Sequence, residues 1–142
     1  MKDSTVTILL VEDDDIDVMN VQRAFKKNNI TNPLRVAGNG LEALAVLRGE
    51  AGQEPLSRLP ALILLDINMP KMNGIEFLTE LRADPVLKSL SVIVLTTSNE
   101  ERDKVAAYDL NVAGYILKPV ATEELITAIG TLKLYWSLNE MP

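Results

Sequence analysis

A short aliphatic run that ends in one acid constrains the fold of this 142-residue chain more than any other feature. The run covers residues 62–65 (LILL), and Asp66 follows it directly. A continuous apolar run of this length, bounded by polar residues, is typical of a strand buried on both faces, as in a parallel sheet covered by helices. We therefore expect Asp66 to lie exposed at the carboxyl end of a buried strand.

Three other strand-like runs also end in polar residues. Residues 7–11 precede Glu12 and Asp13, residues 91–95 precede Thr96, and residues 115–117 precede Lys118. In a parallel α/β sheet the carboxyl ends of the strands share one edge, and ligands bind there. The sequence thus predicts that acids, a hydroxyl and an amine meet at one edge of a sheet.

Helix-like segments alternate with these runs. Amphipathic spacing predicts helices over residues 15–28, 41–49, 74–82 and 99–110, and a last one from residue 122, while residues 34–37 form a weaker strand. Five βα units in succession predict a doubly wound parallel sheet, and the length fits one domain. The polar stretch between residues 49 and 60 contains glycine and proline, so we expect an exposed loop there.

Composition excludes several kinds of chemistry. The chain has no cysteine and no histidine, which removes disulfides, thiolate metal sites, the usual general base and any phosphohistidine of its own. A net charge of −6 argues against nucleic-acid binding. No apolar run approaches the roughly 20 residues needed to cross a membrane, and the N-terminus lacks a signal peptide, so we expect a cytoplasmic protein.

The order and spacing of these residues resemble the receiver domains of two-component response regulators. The resemblance covers nearly the whole chain and is carried by Glu12-Asp13, Asp66 within LLDINMP, Gly74, Thr96 and Lys118-Pro119. It implies a flavodoxin-like (βα)5 fold with strand order 2-1-3-4-5. It also implies that Asp66 accepts a phosphoryl group from a phosphohistidine on a separate sensor histidine kinase or phosphotransfer protein.

The three acids suggest a metal. Glu12, Asp13 and Asp66 would crowd negative charge together, which is costly unless a hard divalent cation binds, and an oxygen-only ligand set suits Mg²⁺. The resemblance implies that Asp13, Asp66 and the backbone carbonyl of Asn68 bind Mg²⁺ directly, with Glu12 acting through water. It further implies that Lys118 and Thr96 bind the phosphoryl oxygens.

Tyr115 has two interpretations. It fits a half-buried strand residue, but in receivers this position carries an aromatic switch whose ring moves inward as the threonine, here Thr96, turns towards the phosphoryl group. The resemblance favours the switch, which would change the surface of the last two helices and strand five. It also implies a cis peptide bond before Pro119, which would aim the Lys118 side chain inward.

The C-terminal residues suggest a subfamily. Trp136 fits the inward stripe of the last predicted helix, and because the sequence stops soon after, we expect a single receiver domain, residues 1–142, with no output domain. The ending, residues 135–142, and the long loop before strand three resemble stand-alone receivers encoded beside bacterial phytochromes and other sensor kinases. Some of these form homodimers through the last helices.

Two other functions compete with this interpretation. A phosphohydrolase of the haloacid dehalogenase type also forms an aspartyl phosphate on an α/β sheet, but that class has a D-x-D pattern, whereas Asp66 is followed here by Ile67 and Asn68. A degenerate receiver would bind partners without phosphorylation, although the acids, Thr96 and Lys118 are all present. A nucleotide-binding fold is disfavoured because no glycine-rich phosphate loop follows strand one.

Overall fold

The computed structural model describes residues 7–27, 30–50, 52, 59–60, 62–118, 123–124 and 127. Strands and helices alternate within them: β1 (Ile8–Val11), α1 (Asp15–Lys27), β2 (Leu34–Ala37), α2 (Gly40–Arg48), β3 (Leu62–Asp66), α3 (Gly74–Ala83), β4 (Val92–Thr96), α4 (Asn99–Ala106) and β5 (Gly114–Leu117). Most of the last predicted helix, including Trp136, lies outside the described residues. So do the bond before Pro119 and most of the predicted loop between residues 49 and 60.

The strands form one parallel sheet of five strands in the order β2-β1-β3-β4-β5. The predicted doubly wound fold and its strand order are therefore confirmed. Each strand crosses to the next through a helix, and β1 lies beside β3 because the chain reverses its direction of winding there. Sheets with this reversal bind ligands at the crevice outside the carboxyl ends of the strands near the reversal.

The alternation of side chains along each strand builds two apolar layers. One face of the sheet carries Leu9, Leu65 and Val94, which pack with residues of α2 and α3 and with Val105 of α4. The opposite face carries a second buried cluster that includes residues of α1: Ile8, Leu10, Val21, Ala24, Phe25, Leu62, Leu64, Ile93, Leu95 and Ile116. Since both faces are covered, the strands read as nearly continuous aliphatic runs.

A glycine fixes how closely α3 approaches the end of β3. Helix α3 begins at Gly74, capped by Asn73, whose side chain accepts from the backbone N–H of Glu76 while Glu76 accepts from Asn73. A Cβ atom at Gly74 would lie 2.5 Å from the carbonyl oxygen of Asp66 and 2.8 Å from the Cα of Ile67. Only a residue without a side chain allows this packing.

Helix α4 is shorter than predicted. The expected helix over residues 99–110 is wrong at its C-terminal end, because the helix stops at Ala106. Asp109 and Asn111 adopt left-handed backbone angles, with φ of 51° and 54°, and such residues cannot continue a right-handed helix. Val105 is the buried residue of α4, whereas α3 buries Gly74, Phe77, Leu78 and Leu81.

One guanidinium holds two loops beside the sheet. Arg82, in the last turn of α3, donates to the carbonyls of Lys88 at 2.7 Å and Leu90 at 2.8 Å, before β4. It also donates to the carbonyls of Leu110 at 2.7 Å and Asn111 at 2.8 Å, before β5. The loops that lead into β4 and β5 are therefore tied to the same helix end.

Candidate functional site

Strand register brings the candidate residues to one edge. Val11 pairs with Leu65, so the next residues along the two strands, Glu12 and Asp66, are neighbours. On the other side Asp66 pairs with Leu95, and Thr96 pairs with Leu117, the residue before Lys118. The backbone N–H of Lys118 donates to the Thr96 carbonyl at 2.6 Å, which extends the β4–β5 ladder by one step.

Three acids form a cluster at this edge. One carboxylate oxygen from each of Glu12, Asp13 and Asp66 lies within 4.8 Å of the other two. Asp13 is exposed, while Glu12 and Asp66 are only 2% and 3% exposed. The expectation of an exposed Asp66 is therefore wrong. This residue is the last of β3, and the neighbouring acid and lysine side chains cover it.

Lys118 lies among carboxylates. Its Nζ is 2.9 Å from Oδ1 of Asp66, 3.0 Å from Oε1 of Glu12 and 2.7 Å from Oδ2 of Asp17 in the first turn of α1. Its side chain is only 11% exposed. A compact ammonium with three donors suits this position because each N–H can face a different oxygen.

Burial and crowding shift the pKa values of the site. Burial raises the pKa of Glu12 to about 7, and the nearby charge of Asp66 adds to the rise. Burial also raises the pKa of Asp66, although its hydrogen bond with Lys118 opposes the change. For Lys118, burial lowers the pKa, but its close contacts with the carboxylates of Asp17, Asp66 and Glu12 outweigh this effect and hold the pKa above its ordinary value.

The acid cluster fits a hard divalent cation. Glu12 Oε1 is fully buried and, among the described residues, receives no well-aligned hydrogen bond, although it faces the Lys118 ammonium. Buried carboxylate oxygens without hydrogen-bond donors are unfavourable unless a cation balances them. Oxygen-only ligands at this spacing match the preferences of Mg²⁺ and similar ions. Glu12, Asp13 and Asp66 are thus the residues suited to hold such an ion.

The remaining predicted site residues lie around this cluster. Thr96 is 1% exposed at the end of β4. Asn68 is exposed in the loop after β3, and its side-chain amide donates to Glu101 of α4. Tyr115 is half-buried in β5, and the guanidinium carbon of Arg102 lies 5.1 Å from the centre of its ring. The structure therefore gathers the acids, Thr96 and Lys118 at one edge, while Tyr115 lies on β5 three residues before Lys118.

Two contributing residues were missed in the sequence. Asp17 pairs with Lys118, and Glu101 joins two loops, since it accepts from the Asn68 amide and, at 2.9 Å, from the backbone N–H of Thr97. Asp17 lies in the first turn of α1, soon after the acidic run at residues 12–15, and this closeness in sequence could have placed it near the same edge. No comparable signal marks Glu101.

Comparison with known proteins gives the family. Residues 8–130 match the family described as "Response regulator receiver domain". The response regulator Rcp1 of Synechocystis sp. is 40% identical over 129 residues, which cover 91% of this chain and 87% of Rcp1. The Mn²⁺-bound form of Rcp1 superposes with a TM-score of 0.74, at 39% identity, covering 92% of this chain and 94% of that one.

Two further solved structures are similar. The bacteriophytochrome response regulator RtBRR has a TM-score of 0.83 at 38% identity and covers 90% of this chain and 78% of its own. The phosphorylated cyanobacterial phytochrome response regulator RcpA has a TM-score of 0.76 at 36% identity and covers 96% and 97% of the two chains. With this fold, this edge and these matches, the chain belongs to the response regulator receiver family of two-component signalling.

Proposed function

We propose that Asp66 accepts a phosphoryl group from a phosphohistidine on a partner histidine kinase or phosphotransfer protein. The observation that carries this proposal is the position of Asp66 Oδ1, 2.9 Å from the Lys118 ammonium and within the three-acid cluster. A carboxylate at the carboxyl edge, flanked by a cation and by candidate metal ligands, has the groups that phosphoryl transfer requires. The similarity to phosphorylated RcpA supports it.

The transfer needs little covalent chemistry from the protein. An oxygen of Asp66 attacks phosphorus, the new O–P bond forms as the N–P bond of the donor breaks, and the electron pair of that bond stays on the imidazole nitrogen. Lys118 is placed to balance charge on the phosphoryl oxygens, and Thr96, on the neighbouring strand, is placed to donate from its hydroxyl. Positioning and charge stabilisation account for most of catalysis in such reactions.

Mg²⁺ is the proposed cofactor. Glu12, Asp13 and Asp66, with the backbone carbonyl of Asn68, are the groups proposed to hold it, Glu12 through water. When bound, the ion neutralises the nucleophile and the incoming phosphoryl oxygens. The buried and crowded carboxylates of Glu12 and Asp66 support the need for a cation, and the Mn²⁺-bound form of Rcp1 supports a divalent one.

The signal is proposed to leave through α4 and β5. Helix α4 buries Val105 and is otherwise largely exposed, so apolar packing holds it less firmly than α3. A cavity of about 300 Å³ opens beside it, lined in part by Val105, Leu110 and Tyr115. In this proposal Tyr115 is the aromatic switch, moving as Thr96 turns towards the phosphoryl group.

We further propose a single-domain cytoplasmic regulator that acts by protein contact. The similarity to the phytochrome response regulators RcpA and RtBRR, over most of each chain, supports a phytochrome-type histidine kinase as its partner. A homodimer through the last helices is part of the same proposal. Among the described residues, no helix is long and apolar enough to span a membrane. The protein is proposed to be a phosphoacceptor that assists its own phosphorylation and dephosphorylation and not an enzyme with a separate substrate.

Acetyl phosphate tests the proposal because it offers an acyl phosphate without a kinase. With Mg²⁺ the parent protein should gain one phosphoryl group, measured by intact mass under mild acid, and Asp66→Asn should gain none. Asp84→Asn is the control. Asp84 follows the last residue of α3, remote from the carboxyl edge, and pairs there with Arg48, the last residue of α2.

Three results would contradict the proposal. A label that persists in Asp66→Asn would assign the phosphoryl group to another residue. No label in the parent, with Mg²⁺ present, would indicate a receiver that works without phosphorylation. Steady hydrolysis of simple phosphomonoesters is the outcome that a phosphohydrolase would give, and we expect none.

A further inference from the structure

The Lys118 ammonium has three carboxylate partners, and only two of them belong to the acid cluster. Glu12 and Asp66 are members of that cluster, whereas Asp17 lies outside it, on the first turn of α1. The contact to Asp17 is nonetheless the shortest of the three, at 2.7 Å against 2.9 and 3.0 Å. The ammonium carries three N–H donors, and one of them bonds to Oδ1 of Asp66, while its contact with Oε1 of Glu12 is an ion pair without a well-aligned hydrogen bond.

The three contacts differ in whether the reaction disturbs them. The carboxylates of Glu12 and Asp66 are those expected to turn towards a cation or to be consumed in the acyl phosphate. Asp17 has neither role, so its contact can persist while the other two change. Its side chain is 18% exposed, so the pair is shielded from solvent without being sealed.

The helix that carries Asp17 gives it a fixed position. The backbone N–H groups of Ile16 and Asp17 donate to Oδ1 of Asp14, at 2.8 and 3.2 Å, which caps α1 at its start. Val21, Ala24 and Phe25 then bury the helix against the sheet. The lysine side chain, by contrast, has a flexible four-carbon stem that costs entropy to hold in one place.

We propose that Asp17 is a positioning residue that holds the Lys118 ammonium over Asp66 while the other two carboxylates engage cation and phosphoryl group. The proposal rests on the proposed function of Asp66. The role of Asp17 is separate from cation binding, since Asp17 lies outside the three-acid cluster. Removing it should therefore slow phosphoryl transfer and leave cation affinity nearly unchanged.

The test compares Asp17→Ala with Asp15→Ala. Asp15 is exposed in the same helical turn, so its variant reports the effect of removing one negative charge from this end of α1. With acetyl phosphate and saturating Mg²⁺, we expect Asp17→Ala to be phosphorylated about tenfold more slowly than Asp15→Ala, because one charge-assisted hydrogen bond is lost. The Mg²⁺ dissociation constants of the two variants should agree within about twofold.

Two further variants separate positioning from a general loss of structure. Asp17→Asn keeps an oxygen that can accept from Lys118, so its rate should lie between those of the parent and Asp17→Ala. Asp17→Ala should weaken binding of the phosphoryl mimic beryllofluoride in the parent background, whereas in Lys118→Met, where no ammonium remains, the same substitution should change that affinity by less than about twofold. Thermal melts of all variants identify any that fail to fold.

Three results would overturn the inference. The first is an Asp17→Ala phosphorylation rate equal to or above that of Asp15→Ala. The second is an effect of Asp17→Ala on beryllofluoride affinity that is as large in the Lys118→Met background as in the parent. The third is a loss of Mg²⁺ affinity that accounts for the whole change in rate. If instead the parent protein takes no phosphoryl group, both this inference and the proposed function fail. If the parent is phosphorylated and Asp17→Ala reacts as fast as Asp15→Ala, this inference fails while the proposed function stands.

Discussion

The interior of the sheet and its carboxyl edge are buried to the same degree but differ in what they bury. The interior holds aliphatic side chains at or near 0% exposure, such as Leu9, Leu64 and Val94. The edge holds Glu12 and Asp66 at 2% and 3% exposure. Burial stabilises the first group and penalises the charged form of the second. The difference indicates that the interior supplies stability, whereas the edge carries the buried acids and the lysine to which we assign cation and phosphoryl binding.

The largest expected effect lies in the interior. Phe77, on α3, is fully buried, and Phe77→Ala should lower the free energy of unfolding by about 3 to 5 kcal/mol, because it removes transfer free energy and leaves a cavity. Urea denaturation followed by far-UV circular dichroism measures the change. A loss below about 1 kcal/mol would mean that α3 does not anchor the interior as described.

The next effect should appear at the edge as a dependence on pH, with divalent cations removed. Folded Glu12 keeps its proton up to a pKa of about 7, whereas the unfolded chain releases it at about 4.5. The unfolded state therefore binds fewer protons between these values, and the free energy of unfolding should fall as pH rises through them, by at most about 3 kcal/mol. The raised pKa of Asp66 acts in the same direction.

Denaturation at several pH values in EDTA measures this slope, and Glu12→Gln should flatten it. A stability that rises between pH 4.5 and 7 in the parent would mean that the edge acids are favourably paired. The edge would then resemble the interior in its contribution to stability.

A smaller effect of opposite sign is expected from Asp13→Asn. The charge of Asp13 raises the pKa of Asp66, so removing it relieves repulsion in the metal-free protein. Thermal melts without Mg²⁺ should give a midpoint at or above that of the parent, with a gain of between zero and about 1 kcal/mol. Asp15→Asn serves as the charge-matched control.

The same Asp13→Asn variant should no longer be phosphorylated in a Mg²⁺-dependent way. A clear loss of stability in the metal-free melts, with Asp15→Asn unchanged, would instead show that Asp13 supports the fold. The acids would then have a structural role, contrary to the contrast between edge and interior.

The smallest effect is expected at the rim, where Glu101 accepts from the Thr97 backbone N–H. Glu101→Gln weakens this charge-assisted contact and should change the free energy of unfolding by less than about 0.5 kcal/mol. Amide hydrogen exchange at Thr97 should nevertheless accelerate, by up to about fivefold, since loss of the whole hydrogen bond would cost roughly 1 kcal/mol. Glu100→Gln is the neighbouring control, and equal exchange rates in both variants would exclude this role for Glu101.

Strand ends could be predicted from the sequence because aliphatic runs and the polar residues after them are adjacent in the chain. Glu12, Asp66, Thr96 and Lys118 were predicted at one edge for this reason, and the fold places them there. The exposure of Asp66 could not be predicted in this way. It depends on how far the side chains of other strands reach over it.

Contacts between secondary-structure elements also could not be predicted from the sequence. The pairing of Asp17 with Lys118 depends on the rotation of α1 about its axis, and the contact of Glu101 with Asn68 depends on where α4 begins relative to the loop after β3. The early end of α4 depends on left-handed residues that are neither glycine nor next to proline. None of these is a local property of the chain.

The hold of Arg82 on main-chain carbonyls has a consequence for protein engineering. Its partners before β4 and β5 are bound through backbone oxygens, which every residue type provides. Side chains in these two loops can be exchanged without removing the hydrogen bonds that hold them, provided the backbone path is kept. The loop before β5 leads into the surface around Tyr115, so new binding specificities could be selected there from a library with position 82 held constant.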